Sequence, residues 1–308
     1  MNREDKMENK VSKIQQLKKE KDAVVLAHYY VPDEVQEIAD YIGDSYYFSQ
    51  LATQVKEKTV VLCGVSFMGE SAKLLNPQKT VLMPDDQADC PMAHMCSVEK
   101  IEEIRRQYPD VAVVCYVNST AELKAHSDVC VTSSNALKIV KNLPNKNIYF
   151  IPDGNLGRFV ASEITDKNII LNDGYCPIHK QITGEALEAK MKEYPQAKVL
   201  VHPECVEEVT KLADYAGSTS GIIQYAKDSD CGEFIIGTET GVFHKLLQND
   251  PDKKYYPVME QQICWDMKKI TLDKIIDVLE TGKNEICLSE ELMNAANKPL
   301  ERMLELAK

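Results

Sequence analysis

The chain has 308 residues, 44% of them hydrophobic, with ten cysteines and a formal net charge of −12. That length holds two or three domains at roughly 100–200 residues each, and the apolar fraction is enough for a buried core. The negative balance excludes the basic stripe that nucleic acid requires and adhesion to an anionic membrane surface, while a small anion can still be bound locally at helix N-termini.

The N-terminal stretch, Met1 to Lys21, is charged and lacks the apolar centre of a signal peptide. No later run approaches the roughly 20 apolar residues of a membrane helix. The expectation is a cytoplasmic protein whose cysteines stay reduced. Short β-branched runs mark candidate strands at Ala23–Ala27, Thr59–Cys63, Thr80–Met83, Val111–Cys115, Asn147–Ile151, Lys198–Val201 and Glu233–Ile236. Amphipathic stretches lie between them, among them Val31–Ala39 and Val206–Ala213; in the second, Val206, Val209, Leu212 and Ala213 share one face at helical spacing. Apolar strands alternating with helices predict an α/β fold with parallel sheets covered on both sides.

An internal repeat runs through these elements. His28-Tyr29-Tyr30, Tyr116-Val117-Asn118 and His202-Pro203-Glu204 follow three strand runs at steps of 88 and 86 residues. Asp40, Asp128 and Asp214 keep the same steps, as do Gly43-Asp44-Ser45, Val131-Thr132-Ser133 and Gly217-Ser218-Thr219. Phe67, Asp153 and Glu239 follow at 86 and 86, and Cys90, Cys176 and Cys264 at 86 and 88. Five features in one register predict three βα-type domains, 1–108, 109–195 and 196–308 with C-terminal helices, related by a pseudo-three-fold axis.

Ligands of parallel α/β sheets bind beyond the carboxyl ends of the strands, where the registered polar residues are expected. A shared central pocket would then hold His28, Tyr30, Tyr116, Asn118, His202 and Glu204, with the hydroxyls of Ser45, Ser133, Ser218 and Thr219 around them. Tyr30 and Glu204 can act as general acid and base. Protonated His28 and His202 can bind carboxylate or phosphate. Blander roles stand beside these: Glu204 as a helix-start carboxylate, Tyr30 as an ordinary strand-end aromatic, and Ser45, Ser133 and Thr219 as helix N-caps.

Three equivalent cysteines suit a metal centre with one open position, either a Cys₃ zinc or a 4Fe–4S cluster with one exposed iron. The alternative is three cysteines that only pack. Cys63, Cys115 and Cys130 sit in apolar runs and read as core. Cys90-x₅-Cys96 matches no standard metal loop, and Cys205 reads as either a reactive or a buried thiol. His94, His126 and His244 read as surface or structural residues, whereas His179, three residues after Cys176, can orient a group near it.

The segments Ala27-His28-Tyr29-Tyr30, Gly43-Asp44-Ser45, Tyr116-Val117-Asn118-Ser119, Thr132-Ser133-Ser134-Asn135-Ala136 and Pro152-Asp153-Gly154-Asn155-Leu156-Gly157 resemble the quinolinate synthase family. So do Gly174-Tyr175-Cys176-Pro177-Ile178-His179, His202-Pro203-Glu204-Cys205, Gly217-Ser218-Thr219-Ser220-Gly221 and Cys264-Trp265-Asp266-Met267-Lys268. The likeness runs from about Val24 to the C-terminal helices.

The resemblance implies three α/β/α domains with pseudo-three-fold symmetry around a central active site, and an oxygen-sensitive 4Fe–4S cluster on Cys90, Cys176 and Cys264. The implied reaction condenses iminoaspartate with dihydroxyacetone phosphate to quinolinate, phosphate and water on the route to NAD. Tyr30 and Glu204 would move protons, while His28, Ser45, Tyr116, Asn118, Ser133, His202, Ser218 and Thr219 would bind substrate, with Glu204 contributing to binding as well. Implied partners are small molecules, with a transient contact to the enzyme supplying iminoaspartate. Some relatives carry Cys-x-x-Cys-x-x-Cys around the third ligand; here Gln261 and Val258 hold the other two positions, which argues against thiol regulation there. Two rivals are a three-cysteine diphosphate reductase of isoprenoid synthesis and a non-catalytic iron–sulfur sensor.

Overall fold

The computed structural model describes residues 3–308; Met1 and Asn2, at the start of the charged N-terminal stretch, lie outside the described residues. Among the described residues, twelve strands form three four-stranded sheets, every named pairing within them parallel. The first sheet contains β1 (Ala23–His28), β2 (Tyr41–Gly43), β3 (Thr59–Cys63) and β4 (Thr80–Leu82). The second contains β5 (Ala112–Tyr116), β6 (Val129–Val131), β7 (Asn147–Ile151) and β8 (Asn168–Leu171). The third contains β9 (Lys198–Val201), β10 (Tyr215–Ala216), β11 (Glu233–Gly237) and β12 (Lys254–Pro257). Each sheet has the same order, second strand, first, third, fourth. The two central strands of each are apolar and almost entirely buried, as a sheet covered on both faces demands.

The chain forms two compact units, Met1–Cys90 with Trp265–Asn294, and Pro91–Cys264 with Ala295–Lys308. In the first, the helix Leu272–Thr281 packs on the helix Arg3–Glu20, burying Ile14 and Ile275 completely, with an ion pair from Lys10 to Asp273 at 2.7 Å. The chain beyond it adds an antiparallel bridge, Leu82 to Glu285, at the β4 edge. The second unit holds the other two sheets. Its C-terminal helix is fastened by Arg302, whose guanidinium donates to the Asp128 carbonyl at 3.1 Å, and by Lys138, which donates to the Ala307 carbonyl at 2.8 Å. The helix Glu207–Leu212 lays Val209 into a core of Val199, Val201, Ile235 and Cys205, with Val206, Leu212 and Ala213 against it, as the apolar spacing predicts.

The repeated aspartates have a role that the sequence does not reveal. The carboxylates of Asp40, Asp128 and Asp214 accept from the backbone N–H of Val25, Val113 and Val199 at 2.8, 2.7 and 2.7 Å. Each aspartate's own N–H donates to the carbonyl of that valine at 2.9 Å. They therefore lie just before the short second strands, beside the first, and not at the carboxyl ends where registered polar residues are expected. Their work is to lock the second strand to the first in all three sheets.

Among the described residues, no helix is long and apolar enough to cross a membrane.

Candidate active site

The first strand of each sheet delivers its signature residues at its carboxyl end. His28 and Tyr116 are the last residues of β1 and β5, and His202 follows β9 directly; all three are buried. The same local turn forms in the first and third repeats. His28 Nδ1 accepts from the Tyr30 N–H at 3.2 Å, and His202 Nδ1 accepts from the Glu204 N–H at 3.3 Å. An accepting Nδ1 carries no proton, so the ring hydrogen sits on Nε2. His202 Nε2 lies 3.3 Å from Ser133 Oγ. The Tyr30 ring stands edge-on to His28, with centroids 4.5 Å apart, and Lys268 holds the Tyr30 carbonyl at 2.6 Å.

Glu204 is fully enclosed in the second unit. Its carboxylate lies 2.6 Å from His179 Nδ1 and 3.6 Å from His202 Nδ1, and the two rings stack at 4.6 Å. Burial alone would raise the Glu204 pKa, but the electrostatic influence of the His202 and His179 imidazoles and hydrogen bonds from His179 and Tyr116 outweigh it and hold it down at about 2. Neighbouring Asp153 is pushed upward by its burial and then by Glu204, so of the two Glu204 keeps the charge. These contacts replace the reading of Glu204 as a helix-start carboxylate. The helix that follows begins at Glu207, capped by Val206, with Glu207 and Glu208 in its first turn.

The helix caps differ from expectation as well. Asp44, Asn135 and Ser218 occupy the N-cap positions, so Ser45 and Thr219 are first helical residues and Ser133 lies two residues before its cap. The hydroxyls of Ser45, Ser133 and Thr219 are therefore not consumed by capping. Ser218 Oγ is, accepting from the Gly221 N–H at 3.1 Å while bonded to Ser220. Asn118 Oδ1 is buried with no hydrogen-bond partner among the described residues, an acceptor suited to a bound molecule.

Cys90, Cys176 and Cys264 are partly exposed, whereas Cys63, Cys115, Cys130 and Cys205 are buried. Cys205 belongs to the core of the third sheet, where burial pushes its thiol well up, which settles its two readings in favour of packing. Each partly exposed repeat cysteine has its backbone N–H on a carboxylate oxygen: Cys90 on Asp89 at 2.8 Å, Cys176 on Asp153 at 3.1 Å and Cys264 on Glu239 at 3.1 Å. His179 Nδ1 also lies 3.2 Å from Cys176 Sγ, and its Nε2 lies 2.9 Å from Thr238 Oγ1. Cys176, His179 and Glu204 thus bring one sulfur, one nitrogen and one oxygen within 4.8 Å of one another, a donor set able to hold a metal. Asp153 and Glu239 are legible in the sequence as registered positions without a role, and His179 by its spacing from Cys176. Nothing in the sequence singles out Thr238.

The family model described as Quinolinate synthetase A protein matches residues 12–305. The chain belongs to the quinolinate synthase family. It is 54% identical over 295 residues to the quinolinate synthase of Fusobacterium nucleatum, covering 96% of this chain and 98% of that one. It is 51% identical over 294 residues to that of Clostridioides difficile and 49% over 295 to that of Caldicellulosiruptor bescii, covering 96% of this chain and 97% of each relative. Membership of this family makes the chain an enzyme and sets aside both the diphosphate reductase and the sensor readings.

Proposed function

We propose that the chain condenses iminoaspartate with dihydroxyacetone phosphate to give quinolinate, phosphate and water for NAD synthesis in the cytoplasm. The carrying observation is the 54% identity, across 96% of the chain, to a protein named quinolinate synthase. The proposed domains are 1–108, 109–195 and 196–308, each of which contains one of the three sheets.

We assign Cys90, Cys176 and Cys264 as ligands of a 4Fe–4S cluster. The fit rests on the donors: three thiols in one repeat register, each partly exposed and each with its backbone held by a carboxylate. When bound, a cluster with three cysteine ligands offers one iron as a Lewis acid to a substrate oxygen. The chain's own residues do the rest. Glu204, held ionised, accepts protons and does not supply them at neutral pH; Tyr30 is the complementary proton carrier. His28 and His202, with hydrogens on Nε2, donate to carboxylate or phosphate oxygens. Ser45, Ser133 and Thr219 add hydroxyl donors, and Tyr116, Asn118 and Ser218 complete the binding set. A transient contact with the enzyme that supplies iminoaspartate belongs to the same reading.

Anaerobic purification followed by assay with both substrates tests this. The expected result is brown protein forming quinolinate only when both are present. Iron-loaded protein that makes no quinolinate would refute the activity.

A further inference from the structure

We propose that one carboxylate in each repeat is a positioning residue, tying the start of the helix after the third strand to the backbone of a ligand cysteine, and that these ties govern how firmly iron is held. The inference rests on the three-cysteine reading and deepens it.

The tie has the same form twice. Glu239, fully buried just beyond β11, accepts from the Gly241 N–H at 2.6 Å with one oxygen and from the Cys264 N–H at 3.1 Å with the other. Gly241 is the N-cap of the helix Val242–Asn249. Asp153, fully buried beyond β7, accepts from the Leu156 N–H at 2.8 Å and from the Cys176 N–H at 3.1 Å. Leu156 lies in the first turn of the helix Gly154–Glu163.

The first repeat breaks the sequence pattern and keeps the connection. Its registered residue is Phe67, which has no oxygen to offer. There the acceptor comes from the cysteine's side: Asp89 accepts from the Cys90 N–H at 2.8 Å and from the hydroxyl of Ser66, the first residue of the helix Ser66–Leu75. A connection rebuilt with different residues is what a functional requirement would leave, since packing alone does not demand it.

In the second and third repeats the two donors take different oxygens, which a carboxyl group offers and an amide does not, since an amide turns an N–H₂ group toward one of them; in the first repeat both donors meet on Asp89 Oδ1. Spending the cysteine N–H on a carboxyl oxygen also keeps it from donating to cluster sulfur. Withholding that hydrogen bond lowers a reduction potential.

The test uses the whole chain purified anaerobically with its iron, comparing Glu239→Gln, Asp153→Asn and Asp89→Ala with Asp128→Asn, a control whose carboxylate holds the Val113 N–H and no ligand cysteine. Expected for the first three is roughly 10–100-fold weaker iron retention against a chelator, the range seen when groups that orient metal ligands are lost. An upward shift in reduction potential should accompany it, which loss of stability alone would not produce. Asp128→Asn should change neither. Asp89 is partly exposed, so its variant reports even if the buried sites fail to fold. Wild-type retention and potential in Glu239→Gln and Asp89→Ala would overturn the ties while leaving the ligands in place, as would equal loosening in Asp128→Asn. Full iron in Cys264→Ser would instead overturn the ligand reading, and this inference with it.

Discussion

His179 Nδ1 stands 2.6 Å from the Glu204 carboxylate, with both side chains buried and the far ring nitrogen on Thr238. Replacing His179 by Ala would leave a buried carboxylate short of a partner. Breaking a buried pair from one side costs about 3–5 kcal/mol, and His179→Gln, which retains a donor, should cost less. Glu204 has its folded pKa lowered from 4.5 to about 2, so its contribution is fully present above about pH 4.5 and lost as pH falls toward 2. The stability gap between wild type and His179→Ala should shrink across that window. Denaturant unfolding at several pH values checks it, and a gap that stays constant from pH 6 to pH 3 would show that His179 does not hold the charge.

The same depressed pKa separates the two proposed proton carriers. Tyr30→Phe and Glu204→Gln should each retain iron and lose roughly 10²–10⁴-fold in turnover. Because Glu204 stays ionised through the neutral range, the acidic limb of the rate profile should not follow it, and Tyr30→Phe should leave that limb in place. Anaerobic turnover between pH 5 and pH 9 measures both. Wild-type turnover in either variant would remove that residue from the chemistry.

The sequence exposes strands where apolar side chains fill both faces. Thr59–Cys63, Asn147–Ile151 and Lys198–Val201 emerge at their observed bounds for that reason. The strands that escape it are short or half-exposed edges: β2, β6 and β10 have two or three residues, and β8 and β12 are only partly buried. Too few residues repeat there for a period to show. The site divides the same way. Strand-end residues such as His28, Tyr116 and His202 are legible because the repeat aligns them. The pairing of Glu204 with His179 is not, since 25 residues and a strand separate them, and only folding decides which carboxylate meets which imidazole. The helix Val31–Ala39 proves shorter, Asp33–Ile38, because Pro32 occupies its N-cap.

For the ligand set, Cys90→Ser, Cys176→Ser and Cys264→Ser should each abolish stable iron binding, whereas serine at Cys63, Cys115 or Cys130 should not. The latter three are buried in β3, β5 and β6 and carry no exposed thiol. Iron and sulfide analysis of anaerobically prepared protein decides the matter. Near-normal iron in Cys176→Ser would break the three-ligand assignment.

The repeated aspartates give a prediction that depends on the fold alone. Val25, Val113 and Val199 are buried on central strands, and each has its N–H on an aspartate carboxylate. Alanine at Asp40, Asp128 or Asp214 would leave that donor unsatisfied, at a cost of about 1–3 kcal/mol. The three should not be equal. Asp40 also pairs with Lys18 at 2.6 Å, and Lys18 is buried, so Asp40→Ala strands a second group. Asp128 pairs with Arg105 at 3.0 Å, but about a third of each side chain is exposed, and solvent reduces that pair to roughly 0–1 kcal/mol. Asp40→Ala should therefore cost more than Asp128→Ala. Amide hydrogen exchange reads each site separately: the valine N–H facing the substituted residue should lose protection, by about tenfold for each 1.4 kcal/mol, while the corresponding amides of the other two sheets keep theirs. Equal loss of protection in all three sheets from a single substitution would mean that the clamps act on global stability and not on the strand pair each one spans.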